Sequence, residues 1–521
     1  MNGRRRRSRP GRRALASLLG GVATVGLLAT PAAAHGGTAE STSPLAAVPT
    51  WAGVALGLAV VALGVALFGR GLGRSGRTAR AVSGVAVVLL AGSVLVAVVG
   101  ATGVGLPGGT DVDSDPAVET PLWTSDTGRE IGGNHHAAAV ADGRVYAPLS
   151  GPGTPEGCEL AALDGSDGGV LWRAPVETNC TIHAVADPAV ADSDGDGVDE
   201  ILVATTEEEL RVYSRDGDLL RRSGLSAYGY TRPTVADLGG SRRTVVVDSR
   251  GTVVVLDTDG REVWRHALDD YVWARPVAGD VDGDGAGEVF VAQRDGTLTL
   301  LSGSGSTAGS GGTANGAGDP DGTAGTTTIE WSRRVGDDPA LSWATAGQAD
   351  ADPALELVVA TVDGGVYAVD GATGETEWSR TVGPFASVGG FGDGDGDGAT
   401  EVYVADKSGT VRALDAATGT EEWTTGVTDG PVQVMPPPSL GDTDGDGTPD
   451  LVVPSHDGRV SKLDPVDGHV VARYERTVTM GERRNGLNRL FARVTLGDVD
   501  GDGDDDAVVV YADGTVVAVD F

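Results

Sequence analysis

Short apolar runs alternate with turn residues over most of the chain after residue 130. One such stretch contains the runs ASVGGF, EVYVAD, GTVRALD and TEEWTTG. Alternation of apolar and polar positions indicates β-strands, because successive side chains of a strand point to opposite faces of a sheet. Glycine and aspartate between the runs favour tight turns. The pattern therefore predicts an all-β protein built from four-stranded units.

The unit occurs eight times, with spacings of 43 to 69 residues between the ends of the predicted third strands. The longest spacing contains residues 302–328, a Gly/Ser/Thr/Ala tract that cannot bury a core and is predicted to be a disordered insert. Eight four-stranded units predict an eight-bladed β-propeller over residues 119–521. The third strands are predicted to end at Asp164, Ser214, Asp257, Leu301, Asp370, Asp415, Asp464 and Asp520.

The last unit ends after its third strand, GTVVAVDF. A fitting fourth strand, ETPLWTSDTG at residues 119–128, precedes the first unit and is similar to ETEWSRTVG at residues 375–383. We expect this N-terminal strand to complete the last blade, giving a split closing blade that leaves no open sheet edge. A β-solenoid, the competing architecture, would not need a split unit.

A nine-residue acidic loop occurs five times, with Asp at positions 1, 3 and 5, Gly at positions 4 and 6, and Asp or Glu at position 9. Ca²⁺ takes six to eight oxygen ligands, and glycine permits the positive φ angles of a tight loop. The sequence predicts up to five calcium sites, one in each copy. The predicted metal ligands are Asp192, Asp194, Asp196, Glu200, Asp280, Asp282, Asp284, Glu288, Asp393, Asp395, Asp397, Glu401, Asp442, Asp444, Asp446, Asp450, Asp498, Asp500, Asp502 and Asp506.

Three units depart from this loop. Unit five has Gln348 at the first position and lacks both glycines, which makes cation binding doubtful there. Unit three is shortened after Asp237 and carries Arg242 and Arg243, so no cation is expected. Unit one has only a turn.

Two family resemblances follow from these motifs. The acidic loops and the strands after them resemble the calcium-binding blades of FG-GAP/VCBS propellers. The strings GGVYAVDGATGETEW and GTVRALDAATGTEEW resemble the repeat of pyrroloquinoline-quinone-type (PQQ-like) propellers. The repeat's tryptophans are expected to pack the outer strand against the neighbouring blade. They are Trp172, Trp264, Trp331, Trp378 and Trp423.

Acidic residues dominate the predicted propeller. Without the eleven arginines and four acidic residues of residues 1–118, the chain has 28 basic and 70 acidic residues, only two of them lysine. This charge argues against nucleic acid as a partner. An Asp-rich, Lys-poor surface is typical of proteins adapted to high salt, where screening reduces self-repulsion. In this composition the chain resembles proteins of haloarchaea.

The N-terminus predicts export and membrane anchoring. Residues 1–34 combine a basic segment, an apolar stretch and Ala-Ala-Ala, as in a signal peptide, including one of twin-arginine type, or in a first membrane span. Residues 51–69 and 81–103 are long enough to span a bilayer as a helical hairpin. The arginine-rich residues 70–80 should face the cytoplasm, which places the linker 104–118 and the propeller outside the cell.

The chain's two cysteines, Cys158 and Cys180, lie in the predicted exported part. An oxidising exterior permits a disulfide between them. A pair of free thiols is the alternative.

The face opposite the acidic loops is the predicted ligand face. First strands begin there near the central channel and would bring together a set suited to an anion, a sugar or an aromatic carboxylate. Plugging of the channel and Arg–Asp pairing, for example with Asp187, are the structural alternative. His135, His136 and His183 could also bind a transition metal with Asp187. The predicted ligand-binding residues are Arg232, Arg275, Arg493, Tyr230, Trp273, Trp343, Phe491, His135 and His183.

No nucleophile–base pair, phosphate loop or catalytic zinc motif is recognisable in the sequence. We therefore expect a membrane-anchored extracellular propeller, stabilised by calcium, that binds or scaffolds a protein or glycan. The resemblance to PQQ-like repeats implies one alternative, a quinone-dependent dehydrogenase with pyrroloquinoline quinone on the arginine and aromatic face. A third hypothesis is an assembly factor for other exported proteins.

Overall fold

Strands account for nearly all regular structure in the computed structural model, which describes residues 116–521 apart from 126, 129–130, 152–157, 177–179, 269, 305–324, 337–339, 480 and 482–485. The predicted signal peptide, both predicted membrane spans and the loop between them lie outside the described residues. Among the described residues, no helix is long and apolar enough to cross a membrane. Two short strands, β1 (Ala117–Val118) and β2 (Pro121–Ser125), precede the repeats.

Blades one to four follow β2 along the chain, and each is a four-stranded sheet. Blade one contains β3 (Ala139–Ala141), β4 (Arg144–Leu149), β5 (Cys158–Asp164) and β6 (Val170–Val176). Blade two contains β7 (Ala189–Ala191), β8 (Glu200–Thr205), β9 (Glu209–Tyr213) and β10 (Leu219–Gly224). Blade three contains β11 (Thr234–Asp237), β12 (Arg242–Val247), β13 (Thr252–Leu256) and β14 (Glu262–Ala267). Blade four contains β15 (Val277–Gly279), β16 (Glu288–Ala292), β17 (Thr297–Ser304) and β18 (Thr326–Arg334).

Blades five to eight continue the repeat. Blade five contains β19 (Ala340–Gly347), β20 (Glu356–Thr361), β21 (Gly365–Asp370) and β22 (Thr376–Thr381). Blade six contains β23 (Ser387–Gly392), β24 (Glu401–Asp406), β25 (Thr410–Asp415) and β26 (Glu421–Gly426). Blade seven contains β27 (Ser439–Gly441), β28 (Asp450–Pro454), β29 (Arg459–Leu463) and β30 (Val470–Glu475). Blade eight contains β31 (Thr495–Gly497), β32 (Asp506–Val510) and β33 (Val516–Val519).

The split closing blade is confirmed. Strand β2 pairs antiparallel with β33, so the order in this sheet is β2-β33-β32-β31. The N-terminal strand thus supplies the missing outer strand of blade eight. The chain is an all-β, eight-bladed propeller in the described region, as the repeat pattern predicts.

Two differences from the sequence expectation concern the edges of blades. Strand β1, within the predicted linker 104–118, pairs in parallel with β30 and adds a fifth strand to blade seven. The predicted insert 302–328 is shorter than expected, because β17 and β18 pair as far as Ser304 and Thr326. Thr326, Thr327 and Thr328 are β-branched, which favours this extension of the strand. Residues 305–324 lie outside the described residues.

The core lies between the blades. Eight clusters of buried side chains are present, and each combines strands of two neighbouring blades, including blades eight and one. Valine, leucine and alanine dominate these clusters because the second and third strands of each blade are covered on both faces. The ring is therefore closed by apolar packing at every interface.

Tryptophans of the outer strands pack against the neighbouring blade, as predicted, and also donate hydrogen bonds to it. The indole N–H of Trp331 in blade four donates to the carbonyl of Gly371 in blade five at 2.8 Å. Trp378 donates in the same way to Ala416 at 2.7 Å, and Trp123 of the closing strand donates to Gly165 of blade one at 2.5 Å. Each bond joins an outer strand to the turn between the third and fourth strands of the next blade.

Candidate functional site

The blade topology separates two faces of the propeller. Loops between first and second strands lie on one face, here called the acid-loop face. Connectors from each fourth strand to the next first strand lie on the other, here called the channel face. All five acidic loops are therefore on the face opposite the connectors.

Positions 1, 3 and 9 of the acidic loops converge. In blade two, carboxylate oxygens of Asp192, Asp194 and Glu200 lie within 4.8 Å of one another. The corresponding residues of blades four, six and seven form equivalent groups. Three carboxylates at this separation could ligate one hard cation. The predicted ligand at position 5 also shapes the loop, since in blade six Asp397 accepts the backbone N–H of Ala399 at 2.7 Å.

Backbone hydrogen bonds shape these loops locally. In blade six the carboxylate of Asp393 accepts the N–H groups of Gly396 and Gly398 at 2.7 and 3.2 Å. Both glycines have positive φ, 75° and 92°, which confirms the conformation expected at positions 4 and 6. Glu401 at position 9 is buried and accepts the N–H of Gly394 at 2.8 Å. The loop is therefore closed at both ends by its own carboxylates.

Basic side chains from neighbouring strands form ion pairs with the carboxylates of two of the five loops. Lys462 of blade seven is buried, and its Nζ lies 2.8 Å from Asp444 and 2.9 Å from Asp450. In blade two, Arg221 lies 3.1 Å from Asp194 and 3.6 Å from Glu200. These cations neutralise part of the loop charge without a metal. Sequence reasoning missed them because they come from the third and fourth strands of the blades.

The loops of blades four, six and eight have no basic side chain ion-paired to their carboxylates within the described part of the chain. Burial, together with neighbouring carboxylates, raises the pKa of Glu288 to about 7. The same causes raise the pKa of Glu401 and of Asp506 to about 7. A divalent cation would relieve this repulsion, so these loops fit a metal ion best.

Blade five, where the sequence makes cation binding doubtful, also brings three carboxylates together. Asp350 and Glu356 converge with Glu377, which the outer strand supplies. Gln348, at the first position, donates to backbone carbonyls of the loop itself. Glu377 could not be found from loop spacing, because strand pairing brings it to the loop.

A cavity of about 1080 Å³ occupies the central channel. First strands and the connectors that precede them supply most of its lining, and Lys407, from the turn between β24 and β25, and Asp505, from the acidic loop of blade eight, complete it. Eight of the nine predicted ligand-binding residues line it, and His183 contacts the same cluster through its ring. The lining residues predicted from sequence are Arg232, Arg275, Arg493, Tyr230, Trp273, Trp343, Phe491 and His135.

Aromatic rings and histidines of neighbouring connectors contact one another in this cavity. The rings of His135 and Phe491 stack at 4.4 Å between centroids. The His183 ring meets that of Tyr230 edge-on at 4.8 Å, and Tyr230 lies 6.2 Å from Trp273. His456, absent from the predicted set, lies edge-on to Phe491 at 5.0 Å. In the sequence, His456 could have been found from its place in the turn between the second and third strands of blade seven, because such turns lie on the channel face.

Two groups of blade one contact the carboxylate of Asp187. His136 Nδ1 lies 2.8 Å from Asp187 Oδ1, which also accepts the backbone N–H of Ala137 at 3.1 Å. Burial by itself would raise the pKa of Asp187, but His136, Arg493 and this N–H hold it below its usual value. Asp187 is therefore a charged, fixed carboxylate beside the arginines.

Three histidines in and beside the cavity, His135, His183 and His456, should remain neutral well below pH 6. Burial, with nearby His136, lowers the pKa of His135 to about 4 and that of His183 to about 3. Burial also lowers the pKa of His456 to about 4. An unfolded chain protonates its histidines near pH 6.5, so these groups should make the fold less stable as pH falls from 6.5 to 4. NMR titration of the ring resonances should find all three neutral at pH 5.5, and a midpoint near 6.5 would contradict their burial.

A disulfide joins Cys158, at the start of β5, to Cys180 in the connector to blade two. Cys158 is the first residue of β5 and precedes the apolar run of that strand. The disulfide ties this connector, which carries His183, to blade one.

Comparisons with known proteins agree with this architecture. The family model described as outer membrane protein assembly factor BamB matches residues 110–220 and 354–521, together more than half of the chain. A second model, the lambda-carrageenase β-propeller domain, matches residues 244–310. No curated protein shows a significant match to the chain.

Solved structures with the same architecture are distant in sequence. BamB from Moraxella catarrhalis is 17% identical with a TM-score of 0.51, and the match covers 78% of this chain and 100% of that chain. The computationally designed Ika8 protein is 15% identical with a TM-score of 0.53, over 77% and 99% of the two chains. The C-terminal WD40 domain of Sif2 is 14% identical with a TM-score of 0.52, over 78% and 99%. Such similarity shows the propeller fold alone.

Proposed function

Because the chain belongs to the family of the outer membrane protein assembly factor BamB, we propose that it is a binding and scaffold propeller rather than a free-standing catalyst. In this proposal the propeller is anchored to the cell membrane, lies outside the cell and is stabilised by calcium on the acid-loop face. A protein or glycan partner binds the channel face. The sequence of the N-terminus supports the anchor.

One observation carries the proposal: the two kinds of site lie on opposite faces. Carboxylate groups suited to cations recur from blade to blade on the acid-loop face. Cationic and aromatic side chains gather once, in the central cavity. A feature repeated around a ring suits stabilisation of each blade, whereas a feature present once suits recognition.

Two partner classes have specific support. The family match favours a protein partner, as for an assembly factor acting on other exported proteins. The match of residues 244–310 to the propeller of a carrageenase includes Trp273 and Arg275 and favours a glycan. The PQQ-like repeat leaves a quinone-dependent dehydrogenase as the alternative, which dye-linked oxidation of alcohols or sugars after addition of pyrroloquinoline quinone would test.

Site-specific photo-crosslinking in native membranes tests the binding proposal. A crosslinking residue at Phe385, which lines the channel cavity, should capture a discrete partner. The matched control is Val198, which is 54% exposed on the acid-loop face and should capture none. Equal capture at both positions, or none at Phe385, would contradict binding on the channel face.

A further inference from the structure

The charge of the channel cavity is inverted relative to the whole protein. The chain has 74 acidic and 39 basic residues. The cavity lining has four basic side chains and two acidic ones. These basic side chains are Arg232, Arg275, Arg493 and Lys407, and the acidic ones are Asp187 and Asp505. An excess of positive charge at the centre of a strongly acidic protein indicates an anionic ligand.

The three cavity arginines, Arg232, Arg275 and Arg493, form no ion pair within the described part of the chain, unlike Arg412 and Arg476 on the blades. Arg275 donates to the hydroxyl of Thr234, at 3.3 Å. The buried Nε of Arg232 has no acceptor among the residues that the structure describes. The nearby carboxylate of Asp187 already accepts His136 and a backbone N–H.

Burial and mutual repulsion destabilise the charged forms of these arginines. Burial, followed by the charges of Arg275 and Arg493, lowers the pKa of Arg232 to about 9. A guanidinium without an acceptor also loses hydrogen bonds that water would provide. An anion entering the cavity would supply both the missing charge and the missing acceptors.

The arginines come from two sides of the ring, because blades four and eight lie opposite each other and flank blades five to seven. They precede the first strands of blades three, four and eight. The equivalent positions of blades five, six and seven are Trp343, Val388 and Pro437, and all three line the cavity. A ligand in the central channel could therefore contact the guanidinium groups of blades four and eight together with the apolar side chains that lie between those blades.

We infer that the channel cavity binds an organic carboxylate with an apolar body, its carboxylate on the three cavity arginines and its apolar part against Trp343, Val388 and Pro437. Guanidinium groups match a carboxylate through paired hydrogen bonds. The inference rests on the proposed function for the use of this face and adds the chemical class of the ligand.

Titration of the full-length protein with four probes tests the inference by calorimetry. The probes are 3-phenylpropionate, its uncharged amide, glucuronate, and a short peptide ending in phenylalanine with a free carboxylate. Binding of 3-phenylpropionate, at least about tenfold tighter than that of the amide or of glucuronate, is expected. Equal affinity for the amide would overturn the role of the arginines. Equal affinity for glucuronate would overturn the role of the apolar side chains. Tighter binding of the peptide than of the free acid would support the inference and identify a protein chain end as the source.

Substitution of the arginines gives an independent readout. The double variant Arg232→Gln with Arg493→Gln should bind 3-phenylpropionate at least about 100-fold more weakly, because two charge-assisted contacts are lost. Arg250→Gln, an exposed arginine on the same face, is the matched control and should leave affinity unchanged. Without ligand, Arg232→Gln should keep or raise the melting temperature, since a crowded positive charge is removed. A clear fall in melting temperature with unchanged affinity would show a structural role and overturn the inference.

The outcomes separate this inference from the proposed function. If Phe385 crosslinks a partner but no carboxylate probe binds, the channel face recognises its partner through other chemistry, and the ligand class is wrong. If the probe binds through the arginines while no partner is captured, the carboxylate site stands and the scaffold proposal falls.

Discussion

Removal of calcium with a chelator is expected to lower the free energy of unfolding of the propeller by several kcal/mol. A site that binds metal only in the folded state contributes about 2.7 kcal/mol when free metal is 100 times its Kd. The loops of blades four, six and eight contain carboxylates with no basic ion-pair partner among the described residues, so these three would together contribute about 8 kcal/mol. Denaturant unfolding with and without chelator at fixed salt measures the difference.

Single-loop variants localise the effect. Asp393→Asn with Asp395→Asn in blade six should remove one site and about 2.7 kcal/mol of the calcium-dependent stability. The same change in blade seven, Asp442→Asn with Asp444→Asn, should remove less, because Lys462 already neutralises that loop. Equal losses in the two variants would show that Lys462 does not substitute for a metal. Unchanged stability in chelator would contradict calcium binding by the loops altogether.

Deletion of the closing strand is expected to have the second large effect. A chain starting at residue 129 loses β2 and leaves β33 with an unpaired edge. It also loses the packing of Trp123 between blades eight and one and the hydrogen bond from Ser125 to Gly168. Loss of a buried tryptophan side chain alone costs about 3–5 kcal/mol. The truncated chain should therefore unfold at a much lower temperature and aggregate through its open edge.

A shorter deletion is the matched control. A chain starting at residue 120 loses β1 but keeps β2, so the ring remains closed. Its melting temperature should stay close to that of the intact propeller. The melting temperature of the full chain with Trp123→Ala should lie between those of the two truncated chains. Equal stability of the two deletions would show that the N-terminal strand does not close the ring.

The architecture was predictable because it depends on local patterns that recur. Each blade has its own alternation and its Asp-Gly turns, and the outer strands of six blades contain a tryptophan, so eight imperfect copies of the repeat predict the same fold. The closing strand was predictable because Trp123 lies in a segment similar to the outer strands that contain Trp378 and Trp423. Strand β1 was not predictable from the sequence, because a segment of two residues has no periodicity. Its parallel pairing with β30 depends on the position that the closed ring gives it.

The sites were predictable only in part. Counting positions along first strands placed the three arginines and the aromatic residues in one cavity, since equivalent positions of a repeat occupy equivalent places. The contributions of Glu377 and Lys462 to acidic loops depend on the register between strands, which the loop motif does not contain. The pairing of His136 with Asp187 likewise depends on contact between two blades.

The number of calcium ions bound per chain is the most direct test of the division between a stabilising face and a recognition face. Equilibrium dialysis followed by elemental mass spectrometry should find at least three tightly bound calcium ions in the full-length protein. The same number should remain after Arg232→Gln, Arg275→Gln and Arg493→Gln are combined, because the arginines lie on the opposite face. Fewer than one bound ion per chain, or loss of calcium on changing these arginines, would contradict the account.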